Sequence, residues 1–370
     1  MPTDVRTDRV QCRAGRRWAA RWSLGLTAAF VAAAFVVIGC GQVERDPLIE
    51  AALALERGDR DAAISTLRGH LKEAPESSPT RLRLAVLLRE SNPDEALEVL
   101  AAVPQADPQR IAAMQQTAII QLVAGRTTEA EAALKEVVAA QPENFGAQLS
   151  LAELYFEAKA HEAALPHALA ASRLQPERAQ TYLLLADLYD ELHDPRSMIA
   201  PLQSAIELEP EYYEARLNLA YATLETGDLD TAKKQATWCH RRQPRDVSAL
   251  RILASAARDE GQFADARTFL AKGLEIAPQD LDCRILEADL LLYERQPQAA
   301  YDRLKELYDA HKTTVRYLGA LARAAATSGK REESRALYKA IEELLEATRK
   351  TTRSKPGGVP AGDAASPVAP

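Results

Sequence analysis

The stretch VSALRILASAARDEGQFADARTFLAKGLEIAPQD, residues 247–280, holds two helical patterns joined by a glycine and closed by a proline. Its first half places Leu250, Leu253, Ala254 and Ala257 at offsets of 3, 4 and 7, one apolar helical face. Gly261 follows between the two patterns, where a residue tolerant of positive φ suits a helix end. The second half repeats the helical spacing with Phe263, Ala266, Leu270 and Leu274. Pro278 then ends the pair, because proline cannot continue a helix interior.

The same pattern recurs outward in both directions. Pro75, Pro108, Pro142, Pro176, Pro210, Pro244 and Pro278 are spaced by 33 residues once and then by 34. With the proline at position 32 of a 34-residue unit, position 8 is alanine throughout: Ala51, Ala85, Ala118, Ala152, Ala186, Ala220, Ala254, Ala288 and Ala322. Position 20 is almost as small, with Ala63, Ala96, Ala130, Ala164, Met198, Ala232, Ala266, Ala300 and Ser334. Small residues let two helix axes approach closely. Position 24 often supplies bulk, as in Leu67, Leu100, Leu134, Leu202, Leu270 and Leu304. Position 15 carries Gly58, Gly125, Gly227, Gly261 and Gly329. Each unit therefore reads as an antiparallel helix hairpin that buries its apolar faces by stacking on its neighbours.

In this register the chain resembles a tetratricopeptide repeat (TPR) protein. Leu151, Ala152, Tyr155, Ala164 and Pro176 carry the resemblance in one unit, and Leu185, Ala186, Tyr189 and Pro210 in the next. Leu219, Ala220, Gly227, Ala232 and Pro244 carry it in the one after. The implied fold is all-α, a superhelical solenoid of about nine TPR hairpins over residues 44–348. The units fall at 44–77, 78–110, 111–144, 145–178, 179–212, 213–246, 247–280, 281–314 and 315–348. The second is one residue short near Ser91-Asn92-Pro93. The last two have Lys312 and Glu346 in place of the proline, and the final one reads as a closing cap with an exposed acidic helix face.

The N-terminus sets an address. Residues 1–22 hold six arginines and two aspartates, followed by an uncharged apolar run from Leu24 to Ile38 and then Gly39-Cys40. Basic, then apolar, then small is a secretory signal. It also resembles the bacterial lipobox, which implies a signal peptide over 1–39, lipidation of Cys40 and a lipidated tether over 40–43. Acyl chains contribute about 0.8 kcal/mol of membrane affinity per buried methylene. An uncleaved membrane helix is the competing reading, although the run is shorter than the ~20 residues a span needs. Gly41, in place of aspartate, favours the outer membrane by analogy with enteric lipoproteins. Residues 349–370 are rich in Pro, Gly, Ala and Ser and read as a disordered tail.

The chain carries a formal charge of −7. Taking the six arginines and two aspartates of residues 1–39 from its 46 basic and 53 acidic residues moves that to near −11. An acidic solenoid without a basic stripe argues against nucleic acid, whose binding rests on phosphate contacts. Beyond Cys12 and Cys40, only Cys239 and Cys283 remain, two units apart in register, too far for the ~7 Å Cα separation of a disulfide. The six histidines (His70, His161, His167, His193, His240 and His311) form no zinc spacing, and His161 and His193 read as solvated turn residues. Gly329-Lys330 lacks the upstream glycine of a phosphate loop, since the residue five places before is Ala324. No serine sits in a strand–turn–helix elbow, and pairs such as Asp190-Glu191 read as solvated surface. A non-enzyme without cofactor or metal is expected.

In TPR proteins, positions 2, 5, 6, 9, 12 and 13 of the first helix line a concave groove. Carried over, the middle of the groove is acidic with aromatics: Glu153, Phe156 and Glu157, then Asp187, Asp190 and Glu191, then Tyr221 and Glu225. The C-terminal part is more basic, with Arg251, Arg258, Arg316 and Arg323, diluted by Asp259, Asp282 and Asp289. A bipolar groove for an extended segment of mixed charge is one reading, and solvated helix faces are the other. Asn218 stands alone at position 6, beside Glu214 and Leu217, which does not make the carboxylate clamp of chaperone-tail TPRs. Trp238 at position 26 is either an exposed anchor or packing between units. The resemblance implies a scaffold tethered to the bacterial envelope and facing the periplasm. Such a scaffold binds protein or peptide segments during assembly of a secretion, pilus or exopolysaccharide export machine. A regulator of a cell-wall or polysaccharide synthase and a peptide-capture module are the alternatives.

Overall fold

The computed structural model describes residues 46–353, in which every regular element is an α-helix. The expected signal, Cys40 with its tether, and residues 354–370 of the expected tail lie outside the described residues. The described chain falls into two compact units that meet between Ala215 and Arg216.

The first unit holds five hairpins. They are α1 (Pro47–Glu56) with α2 (Arg60–Glu73), α3 (Ser78–Leu88) with α4 (Pro93–Ala101), and α5 (Arg110–Val123) with α6 (Thr127–Ala140). Then come α7 (Phe145–Glu157) with α8 (His161–Leu174), and α9 (Ala179–Glu191) with α10 (Pro195–Leu208). The second unit takes most of α11 (Tyr213–Thr226), with α12 (Leu229–Arg242), then α13 (Val247–Asp259) with α14 (Phe263–Ile276). It ends with α15 (Leu281–Tyr293), α16 (Pro297–Lys305), the single turn α17 (Tyr308–His311), α18 (Val315–Thr327) and α19 (Arg331–Arg353). The last helix continues five residues past the expected end of the solenoid. Its exposed residues include Glu332, Glu342, Glu343 and Glu346, the acidic face read for the cap.

The repeat positions act as their chemistry dictates. All nine position-8 alanines are at most 1% exposed. Position 20 is equally closed, from Ala63 at 0% to Ser334 at 5%. Asp46, Asp59, Asn92, Asn144 and Asp194 start helices in the first unit, each with a side-chain oxygen accepting from the backbone N–H two or three residues on. Asp228, Asp246 and Asp280 do the same in the second. Each such cap stabilises its helix by about 1 kcal/mol. Outside the shortened second hairpin, position 15 takes the left-handed conformation whatever its side chain. The five glycines have φ from +73° to +87°, and Lys159, His193 and Arg295 occupy the same place at +58°, +62° and +60°.

A second seam joins successive hairpins. Position 27 of one hairpin meets position 3 of the next: His70 Nδ1 lies 2.9 Å from Thr80 Oγ1. A methyl placed on Gly273 would lie 3.4 Å from Cys283 Sγ. Position 3 is small and buried at Thr80, Ala113, Ala147, Thr181, Ala215, Ala249 and Cys283. Cys239, at position 27, fills the seam one hairpin earlier than Cys283. Both thiols are free and buried, used as small apolar fillers. Burial pushes the Cys239 thiol up to about 12 and raises Cys283 as well.

The last seam departs from this pattern. Tyr317 occupies position 3 and is 0% exposed. The preceding helix breaks at Glu306-Leu307, between α16 and α17. The Tyr317 hydroxyl donates to the Leu304 carbonyl at 2.6 Å, which also accepts from the Leu307 amide at 2.9 Å. A full tyrosine does not fit where an unbroken helix leaves room for alanine, so the helix gives way.

Candidate interaction face

The candidate residues sit on the first helices of their hairpins, and the two units present different chemistry. In the first unit, Glu153 and Phe156 of α7 are partly exposed and Glu157 is exposed. Asp187 and Asp190 of α9 are partly exposed. The Phe156 ring meets the edge of His161, centroids 5.5 Å apart. His161 Nε2 lies 3.7 Å from a Glu191 oxygen, and the imidazole is only 15% exposed. His161 is thus not the solvated turn residue read from the sequence: it opens α8 and folds back over the end of α7. His193 is exposed, as a turn residue should be.

Behind this face a polar cluster ties α6 to α7. The Tyr155 hydroxyl donates to Glu131 at 2.7 Å, and Lys135 Nζ lies 2.6 Å from the same carboxylate. Lys135 first, then Tyr155, holds the Glu131 carboxyl below its usual range. His167 Nδ1 contacts Gln148 Oε1 at 2.7 Å, and burial lowers the imidazole pKa.

In the second unit the arginines are occupied. Asp282 of α15 receives Arg251 of α13 on one side and Arg316 of α18 on the other. One heptad along, Asp289 receives Arg323 at 3.1 Å and lies 3.9 Å from Arg258. Arg258 also donates to Asp259 at 2.8 Å, and Asp280 approaches Arg251 to 4.0 Å. Two parallel Arg–Asp–Arg bridges therefore lace three successive hairpins. The inner one is well shielded, with Arg251 and Asp282 side chains 12% and 13% exposed. Four arginines face four aspartates, so the end read as basic is formally neutral.

Tyr221 also departs from its expected place. It is 7% exposed, within the continuously buried run Leu219–Thr223. Five consecutive residues sweep more than one turn of helix, so α11 offers no open face at that level. Trp238 is partly buried, with the Arg216 guanidinium 4.5 Å and that of Arg242 5.2 Å from the ring centre. Sequence reasoning passed over Arg216 and Arg242; the run of basic residues after Ala232 was the available signal. Among the described residues no group of three or more His, Cys, Asp or Glu side chains is placed to hold a metal ion. No helix among them is long and apolar enough to cross a membrane.

Comparison with known proteins agrees with the hairpin register. No curated protein matches the sequence. Among solved structures, the fold is similar to YrrB, a TPR protein with an unusual peptide-binding site, at 18% identity and a TM-score of 0.48 over 51% of this chain and 97% of that one. It is similar to PilW, a type IV pilus biogenesis factor, at 22% identity and a TM-score of 0.44 over 55% and 94%. It is also similar to a tetratricopeptide repeat protein from Parabacteroides merdae, at 17% identity and a TM-score of 0.41 over 82% and 100%. Family models of the tetratricopeptide repeat match residues 54–118, 116–179, 183–236 and 224–280. With those matches spanning most of the hairpins, this chain belongs to the tetratricopeptide repeat family, whose members are generally protein-interaction modules without catalysis.

Proposed function

We propose that this protein is an envelope-tethered scaffold, held to the membrane through lipidated Cys40. Its TPR unit faces the periplasm, with the outer membrane favoured, and gathers protein segments for a secretion, pilus or exopolysaccharide export machine. The observation that carries the reading is the α7 and α9 surface. There Phe156 and Glu157, with Asp187 and Asp190, give an aromatic and acidic face suited to an extended segment bearing basic residues. The α13, α15 and α18 face contributes shape more than charge, because its arginines already hold aspartates.

Affinity capture from membranes with the full chain tests this. Glu153→Lys/Glu157→Lys/Asp187→Lys should lose the captured protein while keeping its helical circular dichroism. Capture of the same proteins by the reversed variant at every salt concentration would sink the acidic-face reading. Palmitate labelling that persists in Cys40→Ala would refute the anchor.

A further inference from the structure

One surface stands apart from the rest of this acidic chain. Residues 233–245, KKQATWCHRRQPR, contain five Lys or Arg and no Asp or Glu, in a chain of net charge −7. They form most of α12 and the turn after it. Lys233 is held by Glu260 at 2.5 Å. Lys234, Arg241, Arg242 and Arg245 are exposed. Lys234 and Arg241 are seven residues apart, on one side of the helix. Among the described residues no ion pair holds Lys234, Arg241 or Arg245; the carboxylates nearest in sequence are Asp230, 3.9 Å from Lys233, and the Asp246 cap of α13. At the centre lies Trp238, with the Arg216 and Arg242 guanidinium groups 4.5 Å and 5.2 Å from its ring centre.

We infer that the α12 face formed by Lys234, Arg241, Arg242 and Arg245 around Trp238 rests on the anionic headgroups of a phospholipid membrane. Charge complementarity requires an anionic occupant. The form of the surface selects a lipid over a folded or peptide partner. The cations sit on an exposed helix face and the turn after it. Lys234, Arg241 and Arg245 are exposed and spread along one helix face and the turn after it, unlike the arginines held on Asp282. A headgroup layer offers many phosphates to such spread charges, while a single carboxylate favours a converging fork. The indole, covered by two guanidinium groups, keeps the contact at headgroup depth. The inference rests on the membrane-tethered reading, since the tether brings this face within reach of a bilayer.

Each Lys or Arg held at an anionic surface is worth roughly fivefold in partition. The test uses the full chain reconstituted in vesicles of phosphatidylcholine, with or without phosphatidylglycerol. The readout is the rate of amine acetylation, measured peptide by peptide. Lys234 should be protected about fivefold or more in the anionic vesicles alone, and released by high salt. Lys159, exposed at the turn between α7 and α8, serves as the internal control and should react alike in both. Arg241→Gln/Arg245→Gln, two changes at exposed positions, should abolish the protection of Lys234.

Equal acetylation of Lys234 in both vesicle types would overturn the inference while leaving the tether standing. Protection of Lys234 by soluble polyglutamate or duplex DNA, without protection by anionic vesicles, would also overturn it and assign the face to another polyanion. A chain that floats with neither vesicle type would overturn both the inference and the tether.

Discussion

Hairpins 111–212 and hairpins 247–348 keep the same repeat but are joined by different means. In the first group the seam positions are small and uncharged: Ala113, Val137, Ala147, Ala171, Thr181 and Ala205 are all at most 2% exposed. The second group adds two Arg–Asp–Arg bridges, the inner one shielded, and one full-sized tyrosine. A repeat fixes spacing, and spacing can be held either by close packing or by directed charge. The distinction matters for function: the charges of the second group hold the hairpins together, while those of α7 and α9 lie at partly or fully exposed positions of the candidate face.

The largest way to break the comparison is Tyr317→Ala. It removes a fully buried ring and the donor to Leu304, and should cost about 3–5 kcal/mol. Thr181→Ala, at the same repeat position in the other group, should cost about 1 kcal/mol. Hydrogen exchange of the flanking helices reads both locally, because repeat arrays do not unfold as one two-state unit. Next is Asp282→Ala, which leaves Arg251 and Arg316 shielded from water without their shared carboxylate. A loss of about 2–3 kcal/mol is expected there, with little relief from salt. Arg68→Ala breaks the more exposed bidentate pair with Glu95 and should cost at most about 1 kcal/mol. Equal effects of the two substitutions would show that shielding adds nothing to the Asp282 bridge.

Smaller effects come from position 15. Lys159→Gly and His193→Gly relieve a left-handed backbone and should each stabilise by about 1 kcal/mol, while Gly261→Ala should cost a similar amount. Thermal melts of the three variants check the signs. Cys239 should resist alkylation at pH 8 until the chain unfolds, since burial raises its thiol to about 12. The smallest expectation is a likeness between the groups. Glu333 is held below its usual range by Lys305 and then Tyr301, as Glu131 is by Lys135 and Tyr155. A lowered carboxylate stabilises the fold above its unfolded pKa and loses that contribution as pH falls through the folded value. Acidification below about pH 4 should therefore weaken both clusters alike, seen as parallel losses in hydrogen-exchange protection.

Much of this was legible in the chain. Ala at position 8, small residues at position 20 and glycine at position 15 fixed the hairpin register, because each answers a local demand of one helix pair. The Arg–Asp bridges were not legible in the same way. Arg251 and Asp282 are 31 residues apart, and only stacking reveals that this offset brings them together. Tyr221 was misplaced because groove positions say which way a residue points and nothing of how enclosed that helix is. Lys312 in place of the proline did signal an irregular eighth hairpin, but the cause lies ahead of it in sequence, in Tyr317.

That tyrosine also decides where this chain could grow. A tandem copy of 247–280 would set Gly273 against another Ala249, a small pair of the kind found at the other seams. A tandem copy of 281–314 would set its broken helix against Cys283, with a hole the size of a phenol and one donor fewer at Leu304. New hairpins can enter upstream of Leu281, whereas 281–314 and 315–348 must be inherited together, as one closing piece.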